Sequence, residues 1–351
     1  MTNEVLFSVN ENGVASITLN RPKALNSLSY TMVKEIGQKL DEWKTDSKVR
    51  IVMIRGAGDK GLCAGGDIKA LYEAKSSEAA LQKAEMFFGE EYKVDRKMYA
   101  FPKPIIACLE GIVMGGGVGL TFGASHRIVT ERTKWAMPEM NIGFFPDVGA
   151  GYFLSKAPGY IGRYLALSAS IIGPADVLYI KAADLYMSSD ALERFIQKVK
   201  NLDWHQADLP TSLDHLVTEY ASLPENESEL SLLQTEIDKH FAYTTMEEIV
   251  DSLAGESEFA MRTKETLLSK SPVSLKVTLK QQVDAKHKDL SECFEMDLIL
   301  AKRFMRHEDF FEGVRSVLID RDQSPQYKYK KLSDVSDEFA QKFFIPLTKN
   351  I

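Results

Sequence analysis

Residues 105–125 read Ile105-Ile106-Ala107-Cys108-Leu109-Glu110-Gly111-Ile112-Val113-Met114-Gly115-Gly116-Gly117-Val118-Gly119-Leu120-Thr121-Phe122-Gly123-Ala124-Ser125. The apolar run Ile105–Leu109 is short enough for a buried strand. The fifteen residues from Gly111 to Ser125 hold six glycines and no charge. They are too few and too glycine-rich to cross a bilayer. Within them, Met114 to Gly119 leads into a helix-like stretch. Glycine allows close backbone approach to a ligand, and a helix start leaves N–H groups without acceptors. A strand feeding a glycine turn and then a helix is a building step of α/β folds.

Upstream, Ala64-Gly65-Gly66-Asp67-Ile68-Lys69 repeats the theme. Two backbone N–H groups converging on one oxygen would make an oxyanion hole. Close packing of helix on strand would require the same glycines, and spacing alone does not separate the two readings. Val5, Phe7 and Val9, then Ala15, Ile17 and Leu19, alternate around a turn at Asn10–Gly13, which predicts a hairpin. Met32, Ile36, Leu40 and Trp43 predict a helix after Ser29. Val49–Ile54 reads as a buried strand, Ala79–Met98 as a helix with Leu81, Ala84, Phe88 and Tyr92 on one side, and Arg127–Thr130 as a strand. Strands and helices alternate, so an α/β layout is expected.

The chain has 351 residues, 44% hydrophobic and 26% charged, with a formal charge of −7. At about 150 residues per domain it exceeds one domain and falls short of three. The charge argues against nucleic acid as a partner. The charge is uneven: residues 190–258 hold sixteen acidic and four basic residues, a local −12 that leaves +5 for the rest. Three segments follow: a core at 1–189, an acidic helical insertion at 190–258, and a helical region at 259–351. Cys63, Cys108 and Cys293 form no CxxC pair, and the six histidines form no close pair, so neither a disulfide framework nor a metal site is expected. The polar start MTNEVLFSVNENG lacks a basic region followed by an apolar run, so a cytoplasmic protein without membrane contact is expected.

Gly56-Ala57-Gly58-Asp59-Lys60-Gly61 fits GxGxxG after a strand, with Glu78 near the distance of a ribose acid. It runs on into Leu62-Cys63-Ala64-Gly65-Gly66 instead of a helix, which favours a plain turn over dinucleotide binding. Glu139 and Asp147 lie eight residues apart in the apolar loop region Trp135–Gly151. Neighbouring carboxylates shift each other's pKa and can divide acid and base roles. Asp147 could instead cap a helix near Val148. Glu139, between Met137 and Met140, has no comparable explanation. Glu91, after Phe87 and Phe88, reads as the rim of an apolar face. Nothing near Cys63 would activate its thiolate, so it reads as buried structure.

Together these segments resemble the crotonase (enoyl-CoA hydratase/isomerase) superfamily, over about Leu6–Leu185 and again Phe259–Pro325. The carriers are Ile17-Thr18-Leu19-Asn20-Arg21-Pro22, Cys63-Ala64-Gly65-Gly66-Asp67-Ile68, Gly111 through Gly119 and Ala136-Met137-Pro138-Glu139. The resemblance implies a crotonase-like spiral of ββα units with a helical C-terminal region, and an acyl-CoA thioester substrate. It implies that the N–H groups of Gly66 and Gly116 hold the thioester oxygen. It places Lys23, Ala24, Ala64, Gly65, Gly66, Asp67 and Ile68 along the CoA path. Hydratases of the superfamily carry two catalytic glutamates. The later one matches Glu139, but the earlier falls on Gly119, and Asp147 stands where hydratases usually have glycine.

That combination resembles the 3-hydroxyisobutyryl-CoA hydrolase subfamily of valine degradation. Phe145-Pro146-Asp147-Val148-Gly149, Glu312-Gly313-Val314-Arg315 and Asp320 through Pro325 carry the match. The resemblance makes Glu139 and Asp147 catalytic, and makes Glu91 a substrate contact with Gly116, Glu139 and Asp147. It implies no cofactor, since coenzyme A belongs to the substrate. It leaves a homo-oligomer open, because the superfamily's hydratases form hexamers from trimers. The alternatives are an enoyl-CoA hydratase/isomerase, a crotonase-like scaffold without catalysis and, more remotely, a dinucleotide-binding oxidoreductase.

Overall fold

The computed structural model describes residues 3–255 and 257–347. They divide into two compact units, each gathered from three stretches of chain. The first takes the described residues of Met1–Gly66, Lys93–Trp135 and Ile172–Glu229, and the second those of Asp67–Tyr92, Ala136–Ile171 and Leu230–Ile351.

In the first unit, β1 (Val5–Val9) and β2 (Val14–Leu19) form the expected hairpin, with Val5 opposite Leu19 and Val9 opposite Ala15. Then come β3 (Ile51–Gly56), β4 (Gly61–Cys63), β5 (Ile105–Leu109), β6 (Ile112–Met114), β7 (His126–Val129), β8 (Lys134–Ala136) and β9 (Leu185–Tyr186). Among the described residues, one sheet has the order β1-β2-β3-β5-β7-β9 and a second β4-β6-β8. From β2 to β9 the large sheet is parallel. The chain thus lays one strand in the large sheet, the next in the small one, and then a helix: β3, β4 and the helix Glu78–Tyr99, then β5, β6 and the helix Gly116–Phe122. This is the ββα spiral implied by the resemblance. The step between sheets bends sharply at Gly111, whose φ is +61° and where a Cβ would lie 2.5 Å from the Lys60 carbonyl oxygen. Only glycine adopts that backbone at little cost and fits that gap.

All five residues of β5 are buried, which is why they read as an unbroken apolar run, the pattern of a strand covered on both faces. One cover comes from the helices Ser189–Asn201 and Leu209–Tyr220: Leu192, Phe195, Ile196, Val199, Trp204 and Leu213 pack into one cluster with Val14, Ile51, Met53, Ile106 and Ile128. Residues 190–258 are helical, as expected, but they do not form one insertion. Their first two helices belong to the sheet's core, whereas residues 230–252, with the helix Met246–Ser252, fall in the second unit. The segments 1–189, 190–258 and 259–351 therefore do not coincide with the compact units. Charge marked the solvated faces of these helices, while packing followed their apolar periodicity.

The second unit is mainly helical. Glu258–Leu268, Pro272–Ala285, Leu290–Phe304 and Glu308–Val314 follow one another, continued by a wide turn at Arg315–Ile319. Its core is aromatic: Phe144 lies 4.6 Å from Phe145, 5.4 Å from Phe304 and 5.3 Å from Phe310 between ring centroids. Among the described residues, no helix is long and apolar enough to cross a membrane.

Candidate active site

In the first unit the glycine segments lie against each other. Gly65 has φ +105°, and a Cβ there would lie 3.3 Å from the Met114 carbonyl oxygen and 3.5 Å from the Gly116 nitrogen. A Cβ on Gly117 would come within 2.7 Å of the Cys63 Cβ. Close packing therefore accounts for Gly117. The helix Gly116–Phe122 has no side-chain cap, and its first bonds to Gly115 come from Val118 and Gly119. The N–H of Gly116 has no acceptor within its own helix, as at any helix start. The N–H of Leu28 donates to the carbonyl of Gly65 at 2.8 Å, and the N–H of Ala64 to that of Leu25 at 3.0 Å. These bonds set Lys23 and Ala24, both exposed on the short turn Pro22–Ala24, next to the 64–66 segment. Asn26 holds this corner: it is buried, with its side chain bonded to the Arg21 nitrogen and the carbonyls of Ala57 and Gly61. Cys63 is buried. Gly56–Gly61 runs from β3 into β4 with no helix directly after it, so it offers no helix start to a pyrophosphate.

The carboxylates belong to the second unit. Glu139 opens a short 3-10 turn, Glu139–Ile142, that ends at Gly143 with φ +64°. It is buried, and its Oε2 has no hydrogen-bond partner. Burial and then the neighbouring Asp147 push its pKa well above the usual carboxylate range. Asp147 is also buried, and burial raises it to about 7, against the pull of a hydrogen bond from Tyr92. The Tyr92 hydroxyl donates to Asp147 Oδ2 at 2.6 Å. Burial and the nearby Asp147 raise Tyr92 far above its ordinary value, so the phenol keeps the proton it donates. Two carboxyls sharing an apolar pocket resist charging together. Glu91 is 3% exposed, so it is not a rim residue: the apolar face it borders is itself enclosed. Asp67 caps Ile68–Tyr72, accepting from the Ala70 nitrogen at 3.3 Å, and Ile68 is the first residue of that helix.

Asp147 is not a side-chain helix cap. The next helix, Ala150–Leu154, has Gly149 at its N-cap. Between them Val148 has φ +51° and Gly149 +82°. For a β-branched residue such as Val148 this is a strained backbone. The loop is held by the helices Pro272–Ala285 and Leu290–Phe304: Gln281 Nε2 donates to the Pro146 carbonyl at 2.8 Å and to Asp297 Oδ1 at 2.8 Å, and the Gly149 N–H donates to Asp297 Oδ2 at 2.9 Å. Tyr92, Gln281 and Asp297 were not singled out for chemistry from the sequence. Only Glu90-Glu91-Tyr92, polar groups closing an apolar helix face, carried any signal. Among the described residues, no cluster of three or more His, Cys, Asp or Glu could hold a metal ion.

The family described as enoyl-CoA hydratase/isomerase matches residues 14–344. The chain is 41% identical to "3-hydroxyisobutyryl-CoA hydrolase, mitochondrial" of Danio rerio, over 98% of this chain and 90% of the relative. Among solved structures it is similar to a carnitinyl-CoA dehydratase from Mycobacterium thermoresistibile, with TM-score 0.91, 33% identity, and coverage of 99% and 98% of the two chains. An enoyl-CoA hydratase from Rhodobacter sphaeroides 2.4.1 follows, with TM-score 0.87, 33% identity and 98% of each chain covered. A ββα spiral carrying the glycine segments and Ala136-Met137-Pro138-Glu139, matched over nearly its whole length, belongs to the enoyl-CoA hydratase/isomerase family.

Proposed function

We infer that this chain hydrolyses 3-hydroxyisobutyryl-CoA, releasing 3-hydroxyisobutyrate and coenzyme A, a reaction that serves valine degradation. The carrying observation is the buried pair of Glu139 and Asp147, with a free oxygen on Glu139 and Gly119 where a hydratase would hold its other glutamate. Relatives named for this activity support the reading.

The mechanism asks each residue for one task. The N–H groups of Gly66 and Gly116 take the negative charge that develops on the thioester oxygen, each worth about 2.7–4 kcal/mol of barrier. Glu139 acts on the carbonyl carbon, either as the nucleophile that forms a mixed anhydride or as the base that takes a proton from attacking water. The C–S bond then breaks, and the CoA thiolate leaves and is protonated; on the anhydride route water next attacks the Glu139 carbonyl of the anhydride, releasing 3-hydroxyisobutyrate and restoring the Glu139 carboxylate. With the pair's shared proton on Asp147 and Glu139 charged, Asp147 orients the 3-hydroxyl or the water and supplies that proton. Glu91 holds the hydroxyacyl end. A site that bonds a hydroxyl rejects an acyl group lacking one, because its buried polar groups would stay unpaired. Lys23, Ala24, Ala64, Gly65, Asp67 and Ile68 line the CoA path, and no cofactor is required.

Free-thiol release across acyl-CoAs with and without a 3-hydroxyl tests the reading. Glu139→Gln and Asp147→Asn are each expected to lower kcat by about 10²–10⁴-fold while CoA binding survives. Full turnover in Asp147→Asn would remove Asp147 from the mechanism. Hydration of crotonyl-CoA without thiol release would make the chain a hydratase. Single turnover in ¹⁸O water separates the two roles of Glu139, since only a nucleophile acquires label. The cytoplasm remains the proposed location, whereas the relatives' names say mitochondrial; imaging a tagged chain against a mitochondrial marker decides. A homo-oligomer is part of the proposal, to be measured by sedimentation.

A further inference from the structure

We propose that Asp297 is a positioning residue for Asp147. It acts by holding both flanks of the Asp147–Val148 pair and so keeping Val148 in the left-handed backbone region. The inference rests on the hydrolase reading for its kinetic consequence, but its structural claim stands on the loop alone.

Asp297 lies in the helix Leu290–Phe304 and is fully buried. A buried carboxylate is costly unless its oxygens are bonded. Here one oxygen takes the Gly149 N–H, just beyond Val148, and the other takes Gln281 Nε2. The same amide nitrogen spends its other hydrogen on the Pro146 carbonyl, just before Asp147. Gln281 is itself fully buried, in the helix Pro272–Ala285. The anchor therefore grips residues 146 and 149 from two helices and leaves the two residues between them no freedom to relax. Val148 at φ +51° is uphill for a β-branched side chain, and such strain persists only where the surroundings over-determine it. If the loop relaxes, the carboxyl at 147 turns away from the Tyr92 hydroxyl.

The chain of bonds also explains why asparagine would not serve at 297. An Asn amide can still accept from Gly149, but its NH2 would face the NH2 of Gln281. Turning the Gln281 amide over mends that contact and sets its oxygen against the Pro146 carbonyl. One bond is lost either way.

The test compares wild type, Asp297→Asn, Gln281→Met and the double variant Asp297→Asn/Val148→Gly, by kinetics and by crystal structure. Asp297→Asn and Gln281→Met are expected to lose kcat on the order of 10²-fold, with KM for the CoA ester little changed. Because glycine accepts positive φ freely, adding Val148→Gly is expected to restore at least a tenth of the wild-type kcat. A merely stabilising role for Asp297 would show no such rescue. The crystal structure of Asp297→Asn is expected to show Val148 back at negative φ and the bond from Tyr92 to Asp147 broken. Wild-type kcat, a lost kcat that Val148→Gly does not rescue, or an unchanged loop would each overturn the proposal. Should Asp297→Asn not fold, Gln281→Met carries both readouts. Absence of thioester hydrolysis in wild type would count against the activity reading, and the loop structures would still decide the role of Asp297.

Discussion

Glu139 and Asp147 share a pocket but not a protonation behaviour, and Tyr92 makes the difference. Its hydroxyl bonds the Asp147 carboxylate and holds that pKa down against burial, while Glu139 Oε2 has no such help. Tyr92→Phe removes a bond to a charged group, worth about 1.5–3 kcal/mol. The sign follows: the charged form of Asp147 loses support, its pKa rises above about 7, and more of it is protonated at neutral pH. Because Asp147 acts in its protonated form, the alkaline limb of the kcat/KM profile is therefore expected to move to higher pH by roughly one unit or more; an unmoved limb would mean that Asp147 does not titrate in the rate-limiting step. Glu139 was legible in the sequence because a glutamate between two methionines is hard to explain as solvent decoration. Asp147 was ambiguous, since a helix cap would look the same. Tyr92 and Asp297 stayed hidden because their partners are 55 and 148 residues away, and no local pattern records such distances.

Secondary structure was legible wherever a local rule was strong. The helix after Ser29 runs Tyr30–Thr45, with the Ser29 hydroxyl accepting from the Met32 nitrogen and Met32, Ile36, Leu40 and Trp43 buried, as cap and periodicity required. Strand ends shifted by a residue or two, because ladder bonds, not side-chain pattern, set where pairing stops: the run from Val49 pairs only from Ile51. The glycine segments were the undecided case, and the structure answers part of it. Gly117 packs on Cys63, with room for no methyl group. Gly117→Ala is thus expected to destabilise the protein by about 1–3 kcal/mol, read as a lower urea midpoint. A midpoint equal to wild type would mean that the segment yields readily, and that its glycine serves something other than packing.

At the scale of the molecule, charge and packing divide the chain at different places. Charge divides the chain at 190 and 258, but the compact units interleave, each drawing on three separate stretches. That interleaving has a consequence for synthesis. The last stretch of the first unit ends at Glu229, so all of that unit has been translated before the final third of the chain. The second unit must wait, because residues 67–92 and 136–171 emerge early and their partners, from Leu230 onward, come last. At about 5–20 residues per second, the delay is on the order of ten seconds. Ribosome-bound chains halted well past Glu229 are expected to shield the first unit from protease and to leave residues 136–171 open to cleavage; equal protection of both would contradict this order. During that interval Phe144 and Phe145 are without Phe304, which packs on both in the finished protein. The loop that carries Asp147 therefore waits without its aromatic cover until the end of the chain is made, and is exposed to chaperones in that interval.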